Sequence, residues 1–325
     1  MKKVAVIFNG GTISMKVDEK LKAAVPSLSS EEIMAMVTGI EGFADIETHT
    51  FSTLPGPQMT PEIMLDLSRL IKTYVDRDDI SGVVVTHGTD TLEETAYLVD
   101  LTLNTNKPVI FTGAMRSSSE LGYDGPANLS ASICTAISEN AMCRGVLVCL
   151  SGNLDLASEV TKTNSMSLDT FKTPNFGPIG MVDNNTAIFY RDGRRKAVFN
   201  IDKVESNVSI IKCGAGMDSR FLDHCINSHD KGIVIEAMGR GNVPDKMVPG
   251  IRRAIENGIA VVLVSRCFEG RVHDSYGYEG GGRQIRELGV IFGDTLPGQK
   301  ARIKLMVALS AYNNIDAIRE YFETN

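Results

Sequence analysis

The alternation of short apolar runs with amphipathic stretches is the feature that most restricts how this chain can fold. In the first half, four apolar runs have the length of β-strands, and stretches with helical periodicity separate them. These runs cover residues 3–8, 82–86, 108–112 and 145–150. Such alternation is typical of a mainly parallel sheet flanked by helices, so we predict an α/β fold.

The predicted helices carry clear starting signals. Ser29-x-x-Glu32 and Thr91-x-x-Glu94 each match a capping box, and Thr60-Pro61 places proline at the first helical position. An apolar face at helical spacing follows this proline and consists of Ile63, Leu67, Leu70, Ile71 and Tyr74.

The second half predicts a separate, smaller domain. A strand pattern at 186–199 surrounds Asp192-Gly193, a hairpin turn signal that closes the first domain. Strand and helix patterns then alternate again, with strands at 208–212, 232–236 and 260–265 and helices at 245–256 and 297–309. We therefore expect a catalytic domain at 1–200, a linker at 201–207 and a smaller α/β domain at 208–325.

Charge and hydropathy exclude several classes of partner. The net charge of −7 and the pI near 5.4 disfavour binding to nucleic acid or to an anionic membrane. No apolar stretch approaches the roughly 18 to 20 residues of a membrane span. The apolar run at 3–8 is too short for a signal peptide and lacks a cleavage pattern, so we expect a cytoplasmic protein.

No motif indicates a metal or a cofactor. The six cysteines are scattered without a C-x-x-C pair, which favours buried free thiols over disulfides or zinc ligands. The dinucleotide fingerprint, a Walker lysine, H-E-x-x-H and G-x-S-x-G are all absent. We therefore expect neither a metal nor a cofactor.

Polar, glycine-rich segments follow three of the predicted strands, at 9–14, 86–91 and 112–117. Open parallel sheets bind ligands beyond the carboxyl ends of their strands. Glycines there let the backbone approach a ligand, and free N–H groups can hold a carboxylate or an oxyanion. Thr12 and Thr89 lie beside these groups, but a threonine hydroxyl needs a neighbouring base to act as a nucleophile.

Three residues are candidates for that base. Asp90 precedes a predicted helix, where an aspartate more commonly caps the helix. His87 can serve as a base but equally fits a packed or a solvent-facing histidine. Lys162 lies between the hydroxyls of Thr161 and Thr163, and an amine acts as a base only where burial or a nearby cation favours its neutral form. From the residues alone Lys162 is interpreted as a surface charge, and the choice of base stays open.

Together these segments resemble the bacterial-type L-asparaginase family. Residues 9–14 (N-G-G-T-I-S) are similar to its T-G-G-T-I-A signature, and residues 87–95 (H-G-T-D-T-L-E-E-T) match its second signature without a gap. Gly113-Ala114-Met115-Arg116, D-G-P at 124–126, T-K-T-N at 161–164 and P-G-Q-K-A-R at 297–302 follow in the family's order. The resemblance covers essentially the whole chain.

The resemblance implies an amidohydrolase acting on L-asparagine. Thr12 would attack the side-chain amide to form an acyl-enzyme, with Thr89 as the alternative nucleophile. Thr89, Lys162 and Asp90 would manage protons, and Asp90 would also hold the α-ammonium group of the substrate. The implied substrate contacts are Gly11, Gly56, Gln58, Gly88, Thr89, Asp90 and Ala114.

Two departures from the family concern this site. Gly56 replaces the serine that binds the α-carboxylate, which leaves backbone N–H groups or Gln58 for that contact. The loop at 14–26 has no tyrosine, although many members place one there to contact the nucleophile. Tyr276 or Tyr278 is a candidate replacement.

The family also implies a homo-oligomer, a dimer or a dimer of dimers, in which the small domain completes the site of a neighbouring subunit. Gly239-Arg240-Gly241-Asn242 resembles the segment that contributes an asparagine to that site, so Asn242 joins Tyr276 and Tyr278 as a candidate partner-subunit residue.

Three alternatives remain open. The chain is also similar to the asparaginase-like subunit of an archaeal tRNA-dependent amidotransferase, although that subunit carries an N-terminal barrel and this chain starts at the first strand. A glutaminase-asparaginase differs by one methylene of substrate, which motifs do not resolve. An amino-acid sensor without turnover would explain Gly56 and the missing tyrosine, but such a sensor would not need Thr12, Thr89, Asp90 and Lys162 together.

Overall fold

The computed structural model describes residues 1–40, 42, 44–193 and 197–324, and the chain divides into two compact units, Met1–Val198 and Phe199–Asn325. The strands of the first unit are β1 (Lys2–Asn9), β2 (Met15–Asp18), β3 (Ala23–Pro26), β4 (Ala44–Ser52), β5 (Ile80–His87), β6 (Val109–Thr112), β7 (Val146–Leu150), β8 (Asn153–Leu156), β9 (Thr161–Lys162), β10 (Phe171–Lys172), β11 (Gly180–Asp183) and β12 (Thr186–Phe189). Its helices are α1 (Ser30–Ala35), α2 (Pro61–Val75), α3 (Leu92–Thr102) and α4 (Gly125–Ala136).

Within the described residues, the main sheet of the first unit has eight strands in the order β12-β11-β8-β7-β6-β5-β1-β4. The pairs from β4 through β1, β5 and β6 to β7 are parallel, and those from β7 through β8 and β11 to β12 are antiparallel. β4 therefore pairs with one edge of β1, and β5, which follows β4 along the chain, pairs with the other edge. This reversal creates a crevice at the carboxyl ends of β1 and β5, where open α/β sheets bind ligands.

Apolar side chains cover both faces of this sheet, which confirms the predicted fold class of a mainly parallel sheet flanked by helices. Ala5 and Ile7 of β1 face Leu67 and Ile71 of α2, in a cluster that also contains residues of α3. Val4 and Val6 lie on the other face, in a cluster with α1 and α4. The alternation along β1 follows from the two-residue period of a strand.

The β11–β12 hairpin of the main sheet lies earlier in the chain than the hairpin that the sequence pattern predicted. β11 and β12 pair across Asn184 and Asn185, whose φ angles are 46° and 59°. A two-residue turn with positive φ at both positions matches the twist of the strands, and asparagine tolerates this conformation. The prediction of strands around Asp192-Gly193 was wrong for the described residues, where β12 ends at Phe189; residues 194–196 of the predicted hairpin lie outside them.

Two of the three predicted helix starts are confirmed. Ser29 and Glu32 form a reciprocal capping box at α1, and the Thr60 side chain caps α2 at Ile63 N–H. The predicted box at Thr91 was wrong, because the Thr91 hydroxyl makes no capping bond and donates instead to the carbonyl oxygen of Gly56 at 2.8 Å. The Thr91 side chain, at the start of α3, therefore fixes the loop at Gly56 and does not cap the helix.

The second unit is a smaller α/β unit with a parallel sheet in the order β13-β14-β15-β16 among its described residues. Its strands are β13 (Val208–Lys212), β14 (Gly232–Ala237), β15 (Ala260–Ser265) and β16 (Ile291–Phe292). Its helices are α5 (Arg220–Asn227), α6 (Val248–Glu256), α7 (Gly282–Glu287), α8 (Gly298–Ala311) and α9 (Ile315–Glu323). Ile233, Ile235 and Leu263 are fully buried in its core.

All six cysteines carry free thiols. Four are buried, but Cys143 and Cys267 are exposed, so the expectation of buried thiols was wrong for these two. Across the described ranges, no helix combines the length and the apolar character needed to cross a bilayer.

An ion network closes the amino-terminal end of the main sheet. Glu47 of β4 accepts two hydrogen bonds from the Arg77 guanidinium, at 2.7 and 2.8 Å, and its carboxylate lies 2.9 Å from the Lys3 ammonium of β1. Asp79, just before β5, pairs with the same two cations. The Arg77 and Lys3 hydrogen bonds lower the pKa of Glu47 to about 2.

This network predicts a pH-dependent contribution to stability. Because the folded pKa of Glu47 lies below its unfolded value, its contribution is fully present above pH ~4.5 and is lost as the pH falls towards 2. We expect Glu47→Gln to lower the melting temperature by a few degrees at pH 7, with a smaller difference from wild type at pH 3. Asp66→Asn, which breaks an exposed pair with Arg69 on α2, is the control and should leave the melting temperature unchanged. An equal loss for Glu47→Gln at both pH values would contradict the prediction.

Candidate active site

Two glycines shape the turn that follows β1. Gly10 and Gly11 have φ angles of 64° and 85°, and a short 3-10 turn, Thr12–Ser14, begins after them. A Cβ atom on Gly11 would lie 2.5 Å from the Cα atom of Gly88, closer than any side chain permits. Glycine is therefore required both for the backbone conformation and for the contact. This turn places Thr12 beside the segment that follows β5.

The segment after β5 makes a second backbone contact of the same kind. A Cβ atom on Gly88 would lie 2.8 Å from both the Cα atom and the nitrogen of Gly56. Gly56 begins a 3-10 turn, Gly56–Gln58, in the loop after β4, and the Thr91 hydroxyl holds its carbonyl oxygen. The loops after β1, β4 and β5 thus meet main chain against main chain.

The carboxyl end of β5 carries the central polar cluster. The Lys162 ammonium, on β9, donates to the Thr89 hydroxyl oxygen at 3.0 Å and to an Asp90 carboxylate oxygen at 2.7 Å. The Thr89 residue is only 6% exposed, and the side chains of Lys162 and Asp90 are 17% and 61% exposed. The lysine is therefore shielded on the threonine side, and the aspartate faces solvent.

A cleft of about 360 Å³ opens over this cluster. Seven of the residues predicted for the site line it: Gly11, Thr12, Gly56, Gly88, Thr89, Asp90 and Lys162. Two predicted substrate contacts do not line it, because Gln58 points to solvent and Ala114 is fully buried. The lining residues that the sequence did not predict are Met15, Pro55, Pro57, Met115 and Ser165.

The missed residues directly flank predicted ones or follow them closely. Pro55 and Pro57 enclose Gly56, and Met115 follows Ala114. Met15 comes three residues after Thr12 and starts the β2–β3 hairpin. Four of the missed residues are apolar side chains that shape the walls of the cleft and carry no chemical signal in the sequence, and the fifth, Ser165, follows Lys162 by three residues.

Asp124 fixes the loop after β6. Its carboxylate accepts from the N–H groups of Met115 and Arg116, at 3.0 to 3.1 Å, and from the Asn128 side chain at 3.0 Å. The Asn128 amide also donates to the carbonyl oxygen of Gly113. This aspartate thereby holds the wall of the cleft that contains Met115.

Tyr123 fixes the turn that carries Thr12. Its hydroxyl donates to the carbonyl oxygen of Ile13 at 2.6 Å, and burial raises the pKa of the phenol. A tyrosine therefore contacts the residue next to Thr12, although it comes from the segment before α4 and not from the loop at 14–26. The D-G-P motif at 124–126 was recognisable in the sequence, but this neighbouring tyrosine carried no signal of its own.

His87, one of the candidate bases, lies in the core. Its side chain is fully buried near Phe111, and its Nδ1 donates to the carbonyl oxygen of Gly88 at 2.9 Å. Burial lowers the pKa of this imidazole to about 4, so it is neutral at pH 7. His87 does not line the cleft, which leaves Lys162 and Asp90 beside the threonines.

The three predicted partner-subunit residues belong to the second unit. Tyr276 and Tyr278 are 43% and 54% exposed, with ring centroids 5.8 Å apart. Asn242 forms an isolated bridge with Met238, and its buried Oδ1 has no partner among the described residues.

The cluster can support nucleophilic chemistry. A hydroxyl within hydrogen-bonding distance of an amine, itself held by a carboxylate, has the arrangement of a nucleophile, a base and an orienting group. Within the described ranges, no group of three or more histidine, cysteine, aspartate and glutamate side chains is arranged to hold a metal ion.

Known proteins resemble this chain along its full length. It is 33% identical to an L-asparaginase from Bacillus licheniformis over 99% of both chains. It is 32% identical to one subunit of a glutamyl-tRNA(Gln) amidotransferase from Pyrococcus abyssi, over 99% of this chain and 75% of that one. The crystal structure of a probable cytoplasmic L-asparaginase from Campylobacter jejuni superposes with a TM-score of 0.89 at 30% identity and covers 99% of each chain.

Family comparisons agree with these similarities. Residues 3–195 match the family described as "Asparaginase, N-terminal", and residues 207–322 match the "Glutaminase/Asparaginase C-terminal domain". The two matches leave only a short segment between them and cover almost the whole chain. The chain therefore belongs to the asparaginase family.

Proposed function

We propose that this protein is an L-asparaginase, which hydrolyses the side-chain amide of L-asparagine to L-aspartate and ammonia. The observation that carries the proposal is the hydrogen-bonded set of Thr89, Lys162 and Asp90 in the same cleft as Thr12. The names of the relatives agree with this chemistry.

In the proposed reaction, the Thr12 hydroxyl oxygen attacks the side-chain carbonyl carbon of the substrate. Its proton passes to the leaving nitrogen, the carbon–nitrogen bond breaks and ammonia departs, which leaves an ester between Thr12 and the aspartyl group. Water then attacks this ester and regenerates the hydroxyl. Lys162, as the neutral amine, takes up the proton through Thr89 and then returns it, and backbone N–H groups near Thr89 and Ala114 stabilise the oxyanion.

Thr89 is the second candidate nucleophile, because it is the threonine in direct contact with an amine. Thr89 would then form the ester with the aspartyl group, Lys162 would act as its base, and Thr12 would orient the substrate. Trapping the acyl-enzyme and locating the modified threonine by mass spectrometry separates the two possibilities.

Substrate selection rests on Asp90 and on the loop at Gly56. The exposed carboxylate of Asp90 lies in the cleft and suits the α-ammonium group of an amino acid. Main-chain N–H groups near Gly56 and Gly88 would receive the α-carboxylate. Glutamine is longer by one methylene, which changes binding by only about 1 to 3 kcal/mol, so turnover of glutamine is the second candidate activity.

We propose that the protein acts in the cytoplasm as a homodimer or a dimer of dimers. The likeness to a probable cytoplasmic L-asparaginase supports this location. In such an assembly, the second unit would complete the cleft of a neighbouring copy through Asn242, Tyr276 and Tyr278. The exposed tyrosines support this role, as does the amide oxygen of Asn242, which has no partner in the part of the chain that the structure describes.

Ammonia release tests the proposed reaction. We expect purified wild type to release ammonia from L-asparagine. Thr12→Ala and Thr89→Val should each lower kcat at least about 10³-fold, because the first removes the nucleophilic hydroxyl and the second removes the hydroxyl that carries protons to Lys162. The same assay with L-glutamine gives the specificity. Folded wild type that binds asparagine without turnover would overturn the enzyme proposal and favour a sensor.

Gly56→Ser should improve the use of asparagine. The φ of Gly56 is compatible with any residue, and a new Cβ atom would lie 3.4 Å from its nearest neighbours, in ordinary contact. A hydroxyl at this position can bond the charged α-carboxylate, so we expect KM to fall about tenfold. Gly56→Ala, which adds only the Cβ atom, is the matched control. Equal KM values for the two variants would refute a role for the hydroxyl.

Tyr123→Phe should slow the reaction without unfolding the protein. It removes only the hydrogen bond to the Ile13 carbonyl, worth about 1 kcal/mol, so we expect kcat to fall about fivefold as the Thr12 turn loosens. Tyr190→Phe, at an exposed position after β12, is the control. Wild-type kcat in Tyr123→Phe would show that the turn holds its position without this bond.

A further inference from the structure

Lys162 is held at two points by the same segment of chain. Its ammonium bonds Thr89 and Asp90, and its backbone N–H donates to the Glu93 carboxylate at 3.2 Å. Thr89, Asp90 and Glu93 lie within five consecutive residues at the start of α3. The start of α3 therefore contacts both ends of Lys162: Glu93 binds its backbone N–H, and Thr89 binds its side-chain amine.

Glu93 is an unusual residue to find beneath a polar cleft. It is only 4% exposed, and a buried carboxylate is costly unless hydrogen-bond donors surround it. One of its oxygens accepts both from the Lys162 N–H and from the Thr161 hydroxyl, at 3.2 and 3.1 Å. Both residues of β9 thus donate to this one carboxylate.

The strand that carries Lys162 needs such an anchor. β9 contains two residues and pairs with β10 on one edge, where the next N–H group, that of Thr163, donates to the carbonyl oxygen of Thr170. Because N–H groups alternate in direction along a strand, the Lys162 N–H points to the opposite edge. There Glu93 takes the place that a neighbouring strand would occupy.

We propose that Glu93 is a positioning residue for Lys162. Its hydrogen bonds to β9 set the separation between β9 and the start of α3, and therefore the distance from the Lys162 amine to the Thr89 hydroxyl. The inference rests on the proposed function and deepens it. Glu93 does not line the cleft, so it acts through Lys162 and not on the substrate.

The test compares Glu93→Leu, which removes the acceptor, with Glu93→Gln, whose amide oxygen can still accept both bonds. We expect Glu93→Leu to lower kcat for asparagine about 100-fold with KM within about threefold of wild type, because a misplaced base slows chemistry more than binding. Glu93→Gln should retain kcat within about fivefold. Glu94→Gln, the same loss of charge at the next residue, is the matched control and should behave as wild type.

A double-mutant cycle separates positioning from general damage. If Glu93 acts through Lys162, adding Glu93→Leu to Lys162→Met should cause no further loss of the residual rate. Additive losses, or wild-type kcat in Glu93→Leu, would overturn the inference. If Glu93→Leu does not fold, Glu93→Asp replaces it, because the carboxylate remains but falls short by one methylene, and about tenfold lower kcat is expected. An inactive wild type would instead overturn the proposed function.

Discussion

The close packing of three glycine-bearing loops is the constraint on which the cleft depends. Gly11 meets Gly88, and Gly88 meets Gly56, at distances that leave no space for a Cβ atom on Gly11 or Gly88. Because the contacts are between main chains, they exclude side chains from the floor and bring hydroxyls and N–H groups within reach of one small molecule. The reversal of strand order beside β1 decides where this happens.

Polar side chains outside the cleft fix the main-chain segments that line it. Asp124 binds the N–H groups of the Met115 loop, Tyr123 binds the Thr12 turn, and Thr91 binds the Gly56 loop. Each is a single side chain whose hydrogen bond fixes a main-chain group, and the bond offsets part of the conformational entropy lost when the loop is ordered. The reactive residues are thus supported by a shell of specific hydrogen bonds.

Several elements were predictable from local signals. The strand at β1 and the box at Ser29 appear where the sequence predicted them. Of the predicted apolar face of α2, Leu67, Ile71 and Tyr74 are buried, and Ile63 and Leu70 are half-buried. β4 was missed, because it is an edge strand whose side chains are mostly half-exposed and whose sequence is correspondingly polar. The Thr91 box failed because a tertiary partner, the Gly56 carbonyl, took the hydroxyl that the local pattern assigned to the helix end.

The sequence by itself determined the fold class and the chemistry of the reactive segments, because strand and helix periodicity and the residues after each strand are local properties of the chain. It also led to the asparaginase family, to which the comparisons show that the chain belongs. Only the tertiary structure decided that His87 is buried, that Lys162 reaches Thr89, and that Glu93 and Tyr123 hold the reactive segments. These relations join residues up to 110 positions apart, and their distances depend on how strands and loops pack in three dimensions.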